Sequence, residues 1–299
     1  MNGGAPDDPD GPDPSDTGEP DPPTVRAAAL LGSDVRDTGE LDGGQVGTVH
    51  RVELVDGRVV VAKTGPAPLS IEAAMLRHLG RESDLPVPDV LHAEDDLLVI
   101  EYVENDGRVT PAVERDAADH LAALHAETAG AFGFERDTLT GPLRQPNPWT
   151  DSWVAFFREH RLSSMADEAA ANGPLPASLR ERVADVAADC DDLLTEPETP
   201  SLLHGDVWRT NVLVRDGTVA AFVDPACYYG HPEVELAYVD WLDTFGRAFF
   251  ERYRERRGVD PGFDRRKLVY ALYPQLTHAR LFGGHYVDVV DRTLSSLGY

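Results

Sequence analysis

A short polar loop held between apolar, β-rich runs constrains this chain more than any other feature. Residues 201–215 read SLLHGDVWRTNVLVR and residues 222–231 read FVDPACYYGH. Leu202 and Leu203, Val212 to Val214, and Ala220 to Val223 are apolar stretches of the length that forms buried strands. Such strands gather the polar residues between them at one edge. Asp206 is followed five positions later by Asn211, and thirteen positions after that by Asp224. A carboxylate, an amide oxygen and a second carboxylate in that order suit a base that orients a hydroxyl beside two hard oxygen ligands for Mg²⁺. The bland alternative is a polar hairpin with incidental acids. His204, two residues before Asp206, reads as a structural brace for the loop.

The spacing resembles the catalytic and metal-binding loops of kinase-like phosphotransferases, and the rest of the chain has the matching layout. Residues 1–24 are mostly Asp, Pro and Gly with little to bury, and read as a disordered acidic tail. Residues 25–103 are mainly strand-like. TVHRVEL and RVVVAKT flank an Asp56-Gly57 turn, a helix follows at IEAAMLRHLG, and a further strand pair ends in LLVIEYVE. From residue 104 to 299 helical patterns dominate, including ERDAADHLAALHAET and SLRERVADVAADCDDLL. The expected fold is therefore α+β with two lobes: a small antiparallel-sheet N-lobe and a larger, mainly helical C-lobe, with ATP in the cleft between them.

Lys63 ends the apolar strand VVVAKT and is one of only two lysines in a chain that otherwise uses arginine. A compact ammonium suits phosphate binding, with Glu72 on the next helix as its partner; a surface salt bridge is the alternative. The loop LDGGQVG carries Gly43, Gly44 and Gly47, whose backbone N–H groups can approach phosphates closely. Glu101, Tyr102 and Val103 follow the last N-lobe strand, where a hinge offers backbone groups to adenine.

Charge narrows the partners. The 299 residues carry 53 acidic and 27 basic side chains, a formal net charge of −26. A chain so acidic repels nucleic acid and anionic membranes. The acids are scattered along its length, which reads as a salt-adapted surface, since molar salt shortens the Debye length to about 3 Å. Two cysteines, no apolar run near the eighteen residues of a membrane span, and no basic-then-apolar leader imply a cytoplasmic protein.

With these residues in view, the chain resembles the fructosamine/ketosamine-3-kinases. HGDVWRTN is similar to the family's catalytic loop and DPACYYGH to its metal-binding segment. Phe132 to Leu162 contains the family's Phe-Gly-Phe, Gln-x-Asn and Trp-x-x-Phe-Phe series, and YPQLTHARLFGGHYV is similar to its closing helix. The resemblance implies ATP-dependent phosphorylation of the sugar 3-hydroxyl of a ketosamine, which promotes deglycation. By position it puts Trp208, Tyr228, Tyr229 and His231 against the sugar-amine; packing beneath the metal loop is their alternative reading. Trp149 and Trp153 read as core or lobe-packing residues rather than ligands. Two departures bear on the acceptor: Arg209-Thr210 replaces a Ser-Gly pair, and Pro232 replaces an Arg. A lysine-poor host would favour free or small-amine ketosamines over glycated protein. The competing readings are a kinase of the same fold acting on an aminoglycoside- or choline-like hydroxyl, and a non-catalytic nucleotide-binding module.

Overall fold

The computed structural model describes residues 21–41 and 47–299; Gly43 and Gly44 lie outside the described residues. The first element is a helix, α1 (Pro23–Leu30), not a strand. Pro23 and Thr24, expected in the tail, open it. Proline at the first helical position and the run of alanines explain why the helix starts there.

Val35–Glu40 (β1), Thr48–Leu54 (β2), Val59–Thr64 (β3), Val90–Ala93 (β4) and Leu98–Glu101 (β5) form an antiparallel sheet in the order β1-β2-β3-β5-β4. Between β3 and β4 lies α2 (Leu69–Glu82). Strand alternation sorts the side chains of this sheet. Val60 and Ala62 of β3, with Leu97 and Val99, pack on Ala27 and Ala28 of α1. Val61, Leu98 and Ile100 face Leu69, Ala73 and Leu76 of α2. Lys63 is two residues beyond Val61, so period two turns it to the α2 side. Glu72 shares the i, i+3, i+4, i+7 face of Leu69, Ala73 and Leu76, which aims it at the same sheet face.

The remaining chain is mostly helical: α3 (Pro111–Leu124), α4 (Trp153–Phe157), α5 (Ser164–Asn172), α6 (Ala177–Ala188), α7 (Cys190–Leu193), α8 (Pro232–Trp241), α9 (Arg247–Arg257), α10 (Phe263–Phe282) and α11 (His285–Leu297). A π-helical turn over Arg158–Ser163 joins α4 to α5. Three small antiparallel strand pairs are set into this body. Thr138–Thr140 (β6) pairs with Leu143–Gln145 (β7), Ser201–Leu203 (β8) with Tyr228–Gly230 (β11), and Val212–Arg215 (β9) with Thr218–Phe222 (β10). Trp153, Phe156, Phe157, Tyr228 and Tyr270 lie at the centre of its large apolar core. Met75 and Leu79 of α2 join that core, and His78 Nε2 lies 3.1 Å from the Tyr229 hydroxyl. Thus α2 is shared between the sheet and the helical body.

Candidate active site

The β8–β11 pair and the β9–β10 hairpin between its strands explain how three residues spread over nineteen positions meet. Asp206 follows β8, Asn211 ends a single 3₁₀ turn before β9, and Asp224 follows β10. Two backbone bonds join the arms: Ala226 N–H donates to the His204 carbonyl at 2.8 Å, and Val223 N–H to the Asn211 carbonyl at 3.0 Å. Gly205 has φ +86°, and a Cβ there would run into the Ala226 carbonyl, so only glycine fits. Asp224 itself has φ +53°. The left-handed region is uncommon outside glycine, although Asp tolerates it, and such backbone strain clusters at functional sites.

Across the cleft, Lys63 Nζ donates to Glu72 Oε2 at 2.8 Å and to Asp224 Oδ1 at 2.7 Å. Burial works against the ammonium, but the two carboxylates outweigh it and hold the Lys63 pKa above its ordinary value. Burial pushes Glu72 up to about 7 despite the pull of Lys63. Asp224 keeps 43% of its side chain exposed.

Asp206 has a donor on each oxygen. Tyr238 O–H donates to Oδ1 at 2.6 Å, and Asn211 Nδ2 to Oδ2 at 3.0 Å. Burial pushes its pKa up to about 7; the tyrosine bond pulls the other way, and the nearby Asp224 charge adds to the rise. Asn211 therefore spends its amide nitrogen on Asp206. Among the described residues its Oδ1 has only a long contact, 3.5 Å, from Thr210 Oγ1. That oxygen and the second oxygen of Asp224 are hard donors of the kind Mg²⁺ takes.

The backbone ahead of Asp206 is fixed by Glu235 of α8. Its Oε1 accepts from Gly205 N–H at 2.5 Å, and its Oε2 from His204 N–H at 3.2 Å and His125 Nε2 at 2.8 Å. Burial would raise the Glu235 pKa, but these bonds, led by His125, hold it below the ordinary value. His204 is buried, its Nδ1 accepting from Asp206 N–H at 3.3 Å. Gln145 Nε2 donates to the Ala226 carbonyl at 3.0 Å and steadies the segment after Asp224.

One cleft collects Lys63, Glu72, Asp206, Trp208, Asn211 and Asp224. Gly47 lines it too, packed so closely on Thr64 that a Cβ would meet its carbonyl. The opposite wall comes from the tip of the β6–β7 hairpin and from Tyr238, Thr277, His278, Leu281 and Phe282. No sequence pattern had singled these out as site residues, although the closing-helix segment contained the last four.

Other expected site residues stand elsewhere. Glu101, Tyr102 and Val103 lie at and beyond the end of β5, outside the lining of the cleft. The Glu101 N–H is already given to the Asp89 carbonyl at 2.9 Å. Tyr229 is buried, with its hydroxyl on His78 and its ring against Phe134 and Trp149. His231 is buried against Trp153 and Tyr270 and caps α8, its Nδ1 accepting from Glu233 N–H at 3.1 Å. Neither faces the cleft. Tyr228 points to the opposite face of β11 from Tyr229, under the Arg161 guanidinium at 4.0 Å, and lines only a small recess behind Asp206. Trp153 is fully buried, whereas Trp149 is 49% exposed, with its ring against Tyr229. The Arg209 guanidinium reaches the Asp243 carbonyl at 3.4 Å, outside the cleft lining, so its bulk does not fill the acceptor side.

A lysine on a five-stranded antiparallel sheet, paired with a glutamate on the adjoining helix and facing an Asp…Asn…Asp loop on a helical body, defines a phosphotransferase of the kinase-like fold. The fructosamine kinase family profile matches residues 26–297, and the chain belongs to that family. A probable ketoamine kinase of Synechocystis is 39% identical over 201 residues, a match spanning 66% of either chain, just under two thirds. The protein-ribulosamine 3-kinase of Arabidopsis thaliana is 26% identical over 276 residues, covering 87% of this chain and 83% of that one. The crystal structure of a fructosamine-3-kinase candidate from Thermobifida fusca superposes with a TM-score of 0.82 at 31% identity, covering 92% of this chain and 97% of that one.

Proposed function

We propose that this chain is an ATP-dependent ketosamine kinase that phosphorylates the 3-hydroxyl of the sugar portion, with Mg²⁺ held by Asn211 and Asp224. One observation carries the reading. Asp206, a carboxylate with a donor on each oxygen, shares a cleft with the Lys63–Glu72–Asp224 cluster. The names of the relatives supply the acceptor class, ketoamines and ribulosamines.

In this reading Lys63 binds the α- and β-phosphates of ATP, and Glu72 keeps the ammonium in place. Asp206 accepts a hydrogen bond from the sugar hydroxyl and aligns its oxygen with the γ-phosphorus. The new O–P bond forms as the bond to the β-phosphate oxygen breaks; the hydroxyl proton passes to Asp206 and ADP leaves. Bound Mg²⁺ neutralises charge on the phosphates. Positioning by a base of this kind contributes about 10²- to 10⁴-fold. Trp208 offers an aromatic face to the sugar or to a protonated amine. The product 3-phosphate loses its amine more readily than the parent adduct, which makes the activity a deglycation step.

The net charge of −26 supports operation in concentrated salt, and two free, buried cysteines suit a reducing cytoplasm. Among the described residues no helix is long and apolar enough to cross a membrane. The test is ³¹P NMR of the protein in high KCl with Mg-ATP and ribuloselysine. A sugar 3-phosphate signal that disappears with Asp206→Asn supports the reading. ATP binding with no phosphorylated ketosamine would move the acceptor to another small hydroxyl compound.

A further inference from the structure

The chemistry above needs Asp206 to be aimed, and a carboxylate on a loop is free to turn about its side-chain bonds. The Asn211 bond comes from within the loop. The bond to Oδ1 comes from outside it, from Tyr238 on α8, 32 residues further along the chain. Its length, 2.6 Å, lies in the range of a charge-assisted O–H···O⁻ bond. Tyr238 is buried, with its ring against Trp241, and it lines both the main cleft and the recess behind Asp206.

Three residues earlier on the same helix, Glu235 grips the N–H groups of His204 and Gly205. Residues three apart lie on one helix face. One face of α8 therefore fixes both the backbone leading to Asp206 and the carboxylate itself. A carboxylate accepts at about four lone-pair positions, so one donor on each oxygen leaves room for a substrate hydroxyl.

We infer that Tyr238 is a positioning residue for the reaction: its hydroxyl locks the Asp206 carboxylate in the orientation that receives the acceptor's hydroxyl. The inference rests on the kinase reading of Asp206, and not on which acceptor is used. Misplacing a reacting group by about 1 Å costs on the order of 10²-fold. Tyr238→Phe removes only the oxygen and keeps the ring against Trp241.

The experiment is a cycle of Tyr238→Phe, Asp206→Asn and the double variant, with Tyr238→Leu alongside. Phosphorylation of ribuloselysine and acceptor-free ATP hydrolysis are both followed. Tyr238→Phe should lower kcat by roughly 10- to 100-fold with KM for ATP within about twofold. In the Asp206→Asn background the same change should alter kcat less than about twofold, because the hydroxyl acts only through the carboxylate. Tyr238→Leu should match Tyr238→Phe in kcat while also lowering the melting temperature. Wild-type kcat in Tyr238→Phe, multiplicative losses in the double variant, or phosphate found on Tyr238 by mass spectrometry would overturn the inference. If ribuloselysine is not phosphorylated but ATP hydrolysis follows the same cycle, the acceptor assignment fails and the role of Tyr238 stands.

Discussion

Replacing Glu235 with Gln keeps the size of the side chain and removes its charge, at a position with no exposed side-chain surface. The native carboxylate accepts three bonds, from Gly205 N–H, His204 N–H and His125 Nε2. Glutamine has a single oxygen, and its NH₂ group must face a donor whichever way the amide is flipped. Oxygen toward Gly205 turns the NH₂ onto the His204 N–H; the reverse turns it onto the Gly205 N–H. At least one buried N–H is then left without a partner, which costs about 1–3 kcal/mol, and charge-assisted bonds worth about 1.5–3 kcal/mol each become neutral ones. The total is roughly 3–5 kcal/mol. At about 2–4 °C per kcal/mol for chains approaching this length, the melting temperature should fall by roughly 10 °C. Because the two backbone donors immediately precede Asp206, kcat should fall at least about tenfold at a temperature where the variant is still folded. Thermal melting followed by circular dichroism, with turnover of ribuloselysine by the same preparation, gives both quantities. A melting temperature within about 2 °C of wild type would show that the three bonds carry little net stability, and would refute the reasoning.

Three further outcomes are expected. Glu72→Gln should leave melting within a few degrees, since the amide oxygen can still accept from Lys63, yet lower kcat by more than about tenfold because a neutral amide holds the ammonium less firmly in place. Steady-state kinetics beside a melting curve separates the two effects. Burial, reinforced by the nearby Arg266 charge, drives the His231 pKa down to about 3, so the folded state keeps the ring neutral while an unfolded imidazole protonates near 6.5. The associated stability is present above pH 6.5 and is lost as the pH falls below it, by roughly 2 kcal/mol at pH 5. His231→Asn, which keeps a capping side chain, should lack this loss in urea titrations at pH 8 and pH 5. Finally, if the surface is salt-adapted, melting temperature should rise steadily between 0.1 and 3 M KCl, as charge repulsion is screened; a flat or falling profile would remove that reading.

How much of this was legible in the sequence depended on how local each relation is. The Asp206–Asn211–Asp224 set could be read because two short antiparallel strand pairs carry it, and the apolar runs that form β8, β9 and β10 are explicit in the chain. Lys63 and Glu72 could be paired because strand and helix periods aim them at one space. The helix α1 was missed because the boundary at residue 24 left its first two residues in the acidic tail and the rest in a region read as mainly strand-like, although the proline at its start and the alanines that follow are helix signals. Tyr229 and His231 follow Asp224 closely and were expected at the acceptor for that reason. Pairing of β11 with β8 turns the one toward His78, and the start of α8 claims the other as a cap. Tyr238 had no local signal at all. It lies on a helix buried nearly all round, so apolar periodicity does not mark out one face, and its bond to Asp206 exists only once α8 has docked.

The sharing of α2 between sheet and body has a consequence for control. This helix carries Glu72 to Lys63 and also supplies Met75 and Leu79 to the large core and His78 to Tyr229. Swinging the helix outward would break the lysine–glutamate pair, but it would also tear open a packed interior and a buried polar contact. A regulator would have little purchase on such an element. The lysine–glutamate pair is therefore tied, through α2, to the packing of the large core.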